Sequence, residues 1–486
     1  MMVPESSEQT LDITAIKPEQ WEALETLRRD AFSHIEQLVE EIRQCRKPEH
    51  YRVAQQHLSE HIERIDTSIG EAKRRISHAK RNLRRLYKRN ISTDSPEMQE
   101  VAQERQVAYM DYNVYSSLAR QYRLVGDAIA WQIYDFQALP VYDWGLNQGA
   151  GVITGEQQEG VKAETGTIEQ LWNDEGAFAL RHDYTNCLRV GNLSILYPNR
   201  TELPTVKEVK VTGRSVLPHQ KEMQRRGLAL IANNEYSAPG KALYVQRTIS
   251  SQTSTMNLLF QAIAQARTAS VGQVTNSYLA ITVMDETNPA GRLQDDMMKE
   301  WKKLTEEFIT PDIWPTTCSD YLSHTSYRKN TMPSFSAPYT IYPLPSDYVA
   351  GLATGYLMVH YRLNTAAITQ AFQKAGFNAI CRLGEWRAQG GEPPKRIPSP
   401  CFIVGRGSWM VPLSATSVEQ ILCDGLSLED LVASVVELYQ SNALKNDTIR
   451  ELERFLVTFT YTGLENIWRS SLTYVDSAEN EEEVVI

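Results

Sequence analysis

Glu208 and Lys210 lie two positions apart in the run Thr205-Val-Lys-Glu-Val-Lys-Val-Thr212. The run has the β-branched texture of a strand, and strand side chains two apart project from the same face. A carboxylate and an ammonium held side by side suit phosphodiester hydrolysis. The acid would hold a divalent cation that activates water, and the ammonium would stabilise the developing oxyanion. An exposed Glu-Lys pair on an ordinary strand accounts for the same two residues, so their surroundings matter.

Those surroundings read as alternating elements. A short helix is expected at Thr167–Asn173. Strands are expected at Ala177–Arg181, Leu193–Tyr197 and Val206–Val211, with turns at Asp183–Asn186 and Pro198-Asn-Arg-Thr201. A helix from Pro218 to about Ile231 follows. Strands at Ala242–Ile249 and Tyr278–Val283 then flank a helix around Met256–Ala266.

This order, together with Glu208-Val209-Lys210, resembles the restriction-endonuclease-like, or PD-(D/E)xK, nuclease superfamily between about residues 167 and 285. The resemblance implies Glu208 and Lys210 as the E-x-K pair. It implies Gln220 facing the site from the following helix, beside His219 and Lys221, and Glu169 as an acid on the first helix. The second-strand position that is acidic in the family is Asn192 here, in Val190-Gly-Asn-Leu-Ser194. Asparagine offers a carbonyl oxygen but no charge, and Asp183 is the nearest acid able to stand in. The implied catalytic set is Glu208, Lys210, Asn192 and Gln220, with Mg2+ held by Glu208, Asp183 and Glu169.

The flanks have a different texture. Leu24, Leu27, Ala31, Ile35, Leu38 and Ile42 line a first helix that stops near Pro48. In the next, Leu58, Ile62, Ile65, Ile69, Ala72, Ile76, Ala79, Leu83 and Leu86 alternate steps of four and three, a heptad seam. The short break between these two helices points to an antiparallel hairpin, with pairing to another subunit left open. A third helix begins after Ser95-Pro96 and runs to about Phe136. The expected fold is α+β and multidomain. A helical coiled-coil region spans 1–136, a nuclease-like α/β core 137–285, an irregular insertion or linker 286–346, and a C-terminal α/β domain 347–486. The last of these has helices near Ala366–Ala375, Ser427–Tyr439 and Asp447–Phe459 and a strand at Cys401–Val404.

On the heptad helix, Lys73, Arg74, Arg75, Lys80, Arg81, Arg84, Arg85, Lys88 and Arg89 form a dense basic stretch. Arg81, Arg84, Arg85 and Lys88 are candidate contacts to a nucleic-acid backbone. The alternative is a solvated face paired with Glu36, Glu40 and Glu41. His57-Leu-Ser-Glu60-His61 matches the inverted zinc-protease pattern H-x-x-E-H, which long helices rich in His and Glu also produce by chance. Gly126-Asp127 interrupts an apolar helix, and Asp127 is expected to pair with Arg123, the alternative being that it faces the catalytic pocket. Gly405-Arg-Gly407 reads as a turn.

Composition bounds the function class. The chain has 486 residues, 42% of them hydrophobic and 23% charged, as in folded soluble proteins. Its net charge of -10 means that nucleic acid must be held by a local basic surface. Six cysteines are scattered without metal-ligand spacing, and no membrane span or secretory signal is evident. A cytoplasmic location is expected. The expected function is metal-dependent nucleic-acid hydrolysis, as an effector or accessory subunit in restriction or antiviral defence. The alternative is a catalytically inactive nucleic-acid-binding or interaction scaffold built on the coiled-coil arm. Either DNA or RNA fits.

Overall fold

A computed structural model describes residues 18–134, 158–188, 191–198, 204–209, 235–238, 241–249, 254–287, 321–325, 337–381, 400–414, 424–441 and 455–462. Three long helices come first: α1 (Pro18–Gln44), α2 (Pro48–Lys88) and α3 (Pro96–Ile133). A proline opens each, where the missing N–H costs no intrahelical bond. Asn90, with φ of 57°, follows the end of α2 in the left-handed conformation that ends many helices. The Ser95 hydroxyl then accepts from the Met98 N–H and opens α3.

The heptad row of α2 is buried from Leu58 to Leu86, apart from a half-buried Ile65. Its principal partner is α3 rather than the expected α1. Contacts of Lys73 with Tyr112, Arg75 with Asp111 and Lys80 with Tyr109 fix the two helices as antiparallel. Helix α3 is long enough to follow the whole seam, whereas the buried row of α1, from Ala31 to Ile42, covers only its base. The seam is therefore filled from within the chain. At its far end Leu83, Leu86 and Met98 make a small separate core with Ile91, Val101 and Ala102. Near its base the buried Arg123 guanidinium of α3 meets Asp66 of α2 at 3.1 Å.

Helix α4 (Gln158–Glu175) begins earlier than the Thr167 expected. Strands β1 (Phe178–Arg181), β2 (Leu193–Leu196) and β3 (Thr205–Lys207) follow and form an antiparallel sheet in that order. Next come β4 (Glu235–Ala238), β5 (Lys241–Ile249), α5 (Met256–Ala269), β6 (Val271–Thr275), β7 (Leu279–Asp285) and β8 (Tyr321–Thr325). The chain continues through α6 (Ser346–Thr354), β9 (Leu357–Asn364), α7 (Thr365–Lys374) and β10 (Asn378–Cys381). It then forms β11 (Pro400–Arg406), β12 (Trp409–Ser414), α8 (Leu428–Gln440) and β13 (Phe455–Thr462). Helix α1 packs chiefly on α6 and also on α3.

The strands after β3 leave the small sheet. β4 and β5 join β10 to β13 in a six-stranded sheet, where β13 runs parallel to both β5 and β12. β6, β7, β9 and β8 form a separate antiparallel sheet. Neither the 285/286 nor the 346/347 boundary separates these sheets. The segment expected to be irregular, 286–346, supplies β8 and a buried turn at Tyr339–Ile341. The helix expected at Asp447–Phe459 is overturned at its end, since 455–462 is a strand and 447–454 lies outside the described residues. Phe455-Leu-Val-Thr-Phe-Thr-Tyr-Thr462 is aromatic and β-branched, and eight consecutive pairings to β5 hold it extended. Helices and sheets pack around one large apolar cluster that includes residues of α1, α2, α3, β1, α5, β7, α6, β9, α7, β11, β12 and α8. No helix among the described residues is long and apolar enough to cross a membrane.

The Arg123–Asp66 pair gives a stability test. Asp66→Ala leaves a buried guanidinium uncompensated and should destabilise the fold by about 3–5 kcal/mol. An Asp66→Ala, Arg123→Met double variant should recover most of that loss in denaturant unfolding. Equal losses in the single and double variants would contradict it.

Candidate functional site

Helix α4 places Glu164, Ile168 and Leu171 on one face, at the i, i+4, i+7 spacing. Ile168 and Leu171 pack against Ala177, Ala179, Leu193, Ile195 and Val209 of the three-stranded sheet. The same face therefore carries the Glu164 carboxylate to the edge where β1 ends and β2 begins. Arg181 pairs with Leu193, and Leu193 with Lys207. One step further the His182 N–H donates to the Asn192 carbonyl, and the Asn192 N–H donates to the Lys207 carbonyl. His182 and Asn192 thus stand opposite each other past the ends of β1 and β2, and Asn192 is bonded to the last residue of β3, next to Glu208.

Asn192 is held at both ends of its carboxamide. Its Nδ2 donates to Glu164 Oε1 at 2.7 Å, and its Oδ1 accepts from the Val209 N–H at 2.9 Å. These two partners fix which end is oxygen, because a carboxylate only accepts and an N–H only donates. The other Glu164 oxygen, Oε2, accepts from Arg181 Nη2 at 3.2 Å. Arg181 Nη1 donates to Tyr184 Oη at 2.8 Å, and that hydroxyl donates to Glu63 of α2 at 2.9 Å. A hydrogen-bonded chain therefore runs from Glu63 through Tyr184, Arg181, Glu164 and Asn192 to the backbone beside Glu208. Burial raises the pKa of Glu164, and the nearby Asp183 raises it further. Arg181 and the Asn192 amide oppose that shift.

The turn after β1 is anchored on α3. The buried Asp127 carboxylate accepts from the Asn186 and Cys187 N–H groups at 2.6 and 2.8 Å and from Asn186 Nδ2 at 3.1 Å. Burial raises its pKa against those donors. A Cβ at Gly126 would lie 1.8 Å from the Tyr184 carbonyl oxygen, so only glycine permits this approach. Arg123 donates from Nε to the Asp183 carbonyl at 2.7 Å. The expected Arg123–Asp127 pair is thus corrected: Arg123 binds Asp66 across the hairpin, and Asp127 caps the turn. Nearby, His182 Nε2 and Ser194 Oγ lie 2.8 Å apart, and Ser194 Oγ lies 2.8 Å from Tyr134 Oη, all buried.

Of the residues singled out from sequence, Asn192 bonds Glu164 and the Val209 N–H, Asp183 lies near Glu164, and Glu208 adjoins Val209, the two acids half-buried. Glu169 does not join them. It is exposed on α4, five positions past Glu164, the acid of that helix that reaches Asn192. Lys210 and Gln220 lie outside the described residues. The strand bearing the E-x-K ends at Lys207, so Glu208 sits just beyond it. Sequence reasoning missed Glu164 and Arg181. The apolar spacing of Glu164 with Ile168 and Leu171 is the signal that could have found the first.

The other motifs resolve plainly. His57 pairs with Glu41 at 2.9 Å, while the His61 ring stacks on Tyr122 and lies 4.4 Å from the His34 ring. The two histidines of H-x-x-E-H therefore engage different partners. Among the described residues no three His, Cys, Asp or Glu side chains are placed to hold a metal ion. Gly405-Arg-Gly407 lies at the tight turn between β11 and β12, with φ of 63° at Gly407. Arg81, Arg84, Arg85 and Lys88 are exposed on α2. They do not pair with Glu40 or Glu41, which engage Arg43 and His57 instead.

Asn192→Asp tests the clamp. The introduced carboxylate would face Glu164 Oε1 at hydrogen-bond distance, so the two acids would share a raised pKa. Stability from their protonated form is present at low pH and lost as pH rises through that raised value. The variant's thermal midpoint should therefore fall relative to wild type between acidic and neutral pH; parallel pH profiles would contradict the clamp. Comparison with known proteins found no family model, curated protein or solved structure that matches the chain.

Proposed function

We propose that this protein binds nucleic acid through a core of restriction-endonuclease type whose catalytic edge is held together by hydrogen bonds instead of a cation. The observation that carries this reading is the position of Asn192. It stands between the helix acid, Glu164, and the backbone next to Glu208, with both ends of its amide engaged. A hard cation such as Mg2+ takes oxygen donors. Here one Glu164 oxygen faces the Asn192 amide nitrogen and the other the Arg181 guanidinium. Those N–H groups lie where a shared cation would neutralise two acids. The donor set at Glu164 therefore does not fit Mg2+.

Metal-dependent hydrolysis is the second reading, favoured by the half-buried carboxylates of Asp183, near Glu164, and Glu208, next to the Asn192-bonded Val209. In that case Glu208 would share a cation with Asp183, and Lys210 would face the scissile phosphate. DNA and RNA substrates incubated with the protein and Mg2+ separate the two readings. Binding without scission is expected. Mg2+-dependent scission that disappears in Glu208→Ala would establish the enzyme instead. Asn192→Asp supplies a readout independent of cleavage: Mg2+ should raise the thermal midpoint of the variant and leave wild type unmoved. An equal rise in both would show that the native edge already holds the cation.

A further inference from the structure

One face of α2 joins the sheet to the basic end of the arm. Glu63, Thr67, Gly70, Arg74, Ser77, Arg81, Arg84 and Lys88 follow one another in alternating steps of four and three, so they form a continuous row. At its lower end Glu63 accepts the Tyr184 hydroxyl and so begins the hydrogen-bonded chain to Asn192. At its upper end the row is cationic, and no acid occurs between Glu71 and Asp94. Arg74, Arg81, Arg84 and Lys88 are exposed, on the side of α2 opposite the seam buried against α3. Arg81, Arg84 and Lys88 make no ion pair among the described residues, whereas Arg75, off the row, is tied to Asp111.

We infer that this face of α2 is a track for the phosphate backbone of a nucleic-acid duplex, running from the basic end of the arm to the Asn192 edge of the sheet. The inference rests on the proposed nucleic-acid reading of that edge and extends it to a second element. From Glu63 to Lys88 the row rises about 38 Å, close to one turn of B-form DNA. Small residues at Thr67, Gly70 and Ser77 keep its middle low on either side of Arg74, whose Nε lies back on the Gly70 carbonyl. Three of its four cations are arginines, whose guanidinium forks match phosphate oxygens. A single-strand binder interleaves aromatic side chains on which bases stack. This row has none, and the exposed Tyr87 lies to one side, next to the seam. The geometry thus selects a duplex over a single strand.

Fluorescence anisotropy with a labelled duplex of about two helical turns, as DNA and as RNA, and the matching single strands, read over a salt series, tests the track. Tighter binding of a duplex than of its single strands is expected, and whichever duplex binds more tightly identifies the source. The Arg81→Ala, Arg84→Ala, Lys88→Ala triple variant removes about three phosphate contacts, so its log K against log salt slope on DNA should flatten by about 2.7. Its circular dichroism should match wild type, because these side chains face solvent. An unchanged slope would overturn the track, as would an equal loss on neutralising Arg46 and Arg64, which are off the row. A preference for single strands would overturn it too. Photo-crosslinkers placed at Ser77 and at Asp183 keep this outcome distinct from failure of the core reading. Both should capture the same duplex. Capture at Asp183 alone would sink the track and spare the core, and capture at Ser77 alone would sink the core reading together with the continuity inferred from it.

Discussion

The buried guanidinium of Arg123 is the point where arm and sheet become one structure. It forms an ion pair with Asp66 on α2 and donates to the Asp183 carbonyl in the turn after β1. An arginine that is 2% exposed has lost nearly all of its hydration, which is costly unless its donors are met. Meeting them requires three elements at once: α2 at the right register, α3 at the right height, and the turn pressed onto α3. Gly126 makes that last approach possible and Asp127 fixes it with three accepted bonds. Once the turn is pinned, Arg181 and Tyr184 at its root have only the Glu164 and Glu63 sides to face. The geometry of the Asn192 edge thus follows from contacts made on α3.

Periodicity made much of the fold legible. The seam of α2, the capping residues of α3, the three short strands and the helices at 256–269, 365–374 and 428–440 follow patterns of apolar spacing and turn chemistry. What the patterns do not contain is partner choice. A heptad row states that it needs a companion but not which one, so the short break between α1 and α2 pointed to α1 where α3 fills the seam. The same holds for β5, whose residues suit either a fourth strand of the small sheet or, as observed, a parallel neighbour of β13.

The site was legible in part, for a related reason. Glu208 was found because strand alternation is a local property, and Asn192 and Asp183 were found through the resemblance, as the second-strand position and the acid nearest to it. Glu164 and Arg181 were not, since their roles come from the packing of α4 across the sheet, and Glu169 satisfied the same expectation on paper. The pairing of Arg123 with Asp127 was expected because residues four apart on a helix are neighbours. It failed because both side chains are buried and each found a better-aligned partner: a carboxylate on α2 for one and a pair of backbone N–H groups for the other. Buried polar groups follow the geometry of their donors and acceptors in three dimensions, which sequence distance does not report.

The seam between α2 and α3 has a further consequence. It is continuous from its base to the small apolar cluster formed by Leu83, Leu86 and Met98, and the alanines at 72 and 79 are part of it. The reach of this hairpin is therefore quantised. Lengthening both helices by seven residues would move the tip outward by about 10 Å and keep every outward side chain on its present side. Any increment that is not a whole heptad would swing the tip around the helix axis by about 100° per residue or leave an apolar row facing water. Steps of seven are thus the changes in arm length that leave the seam undistorted, as on a ruler with coarse graduations.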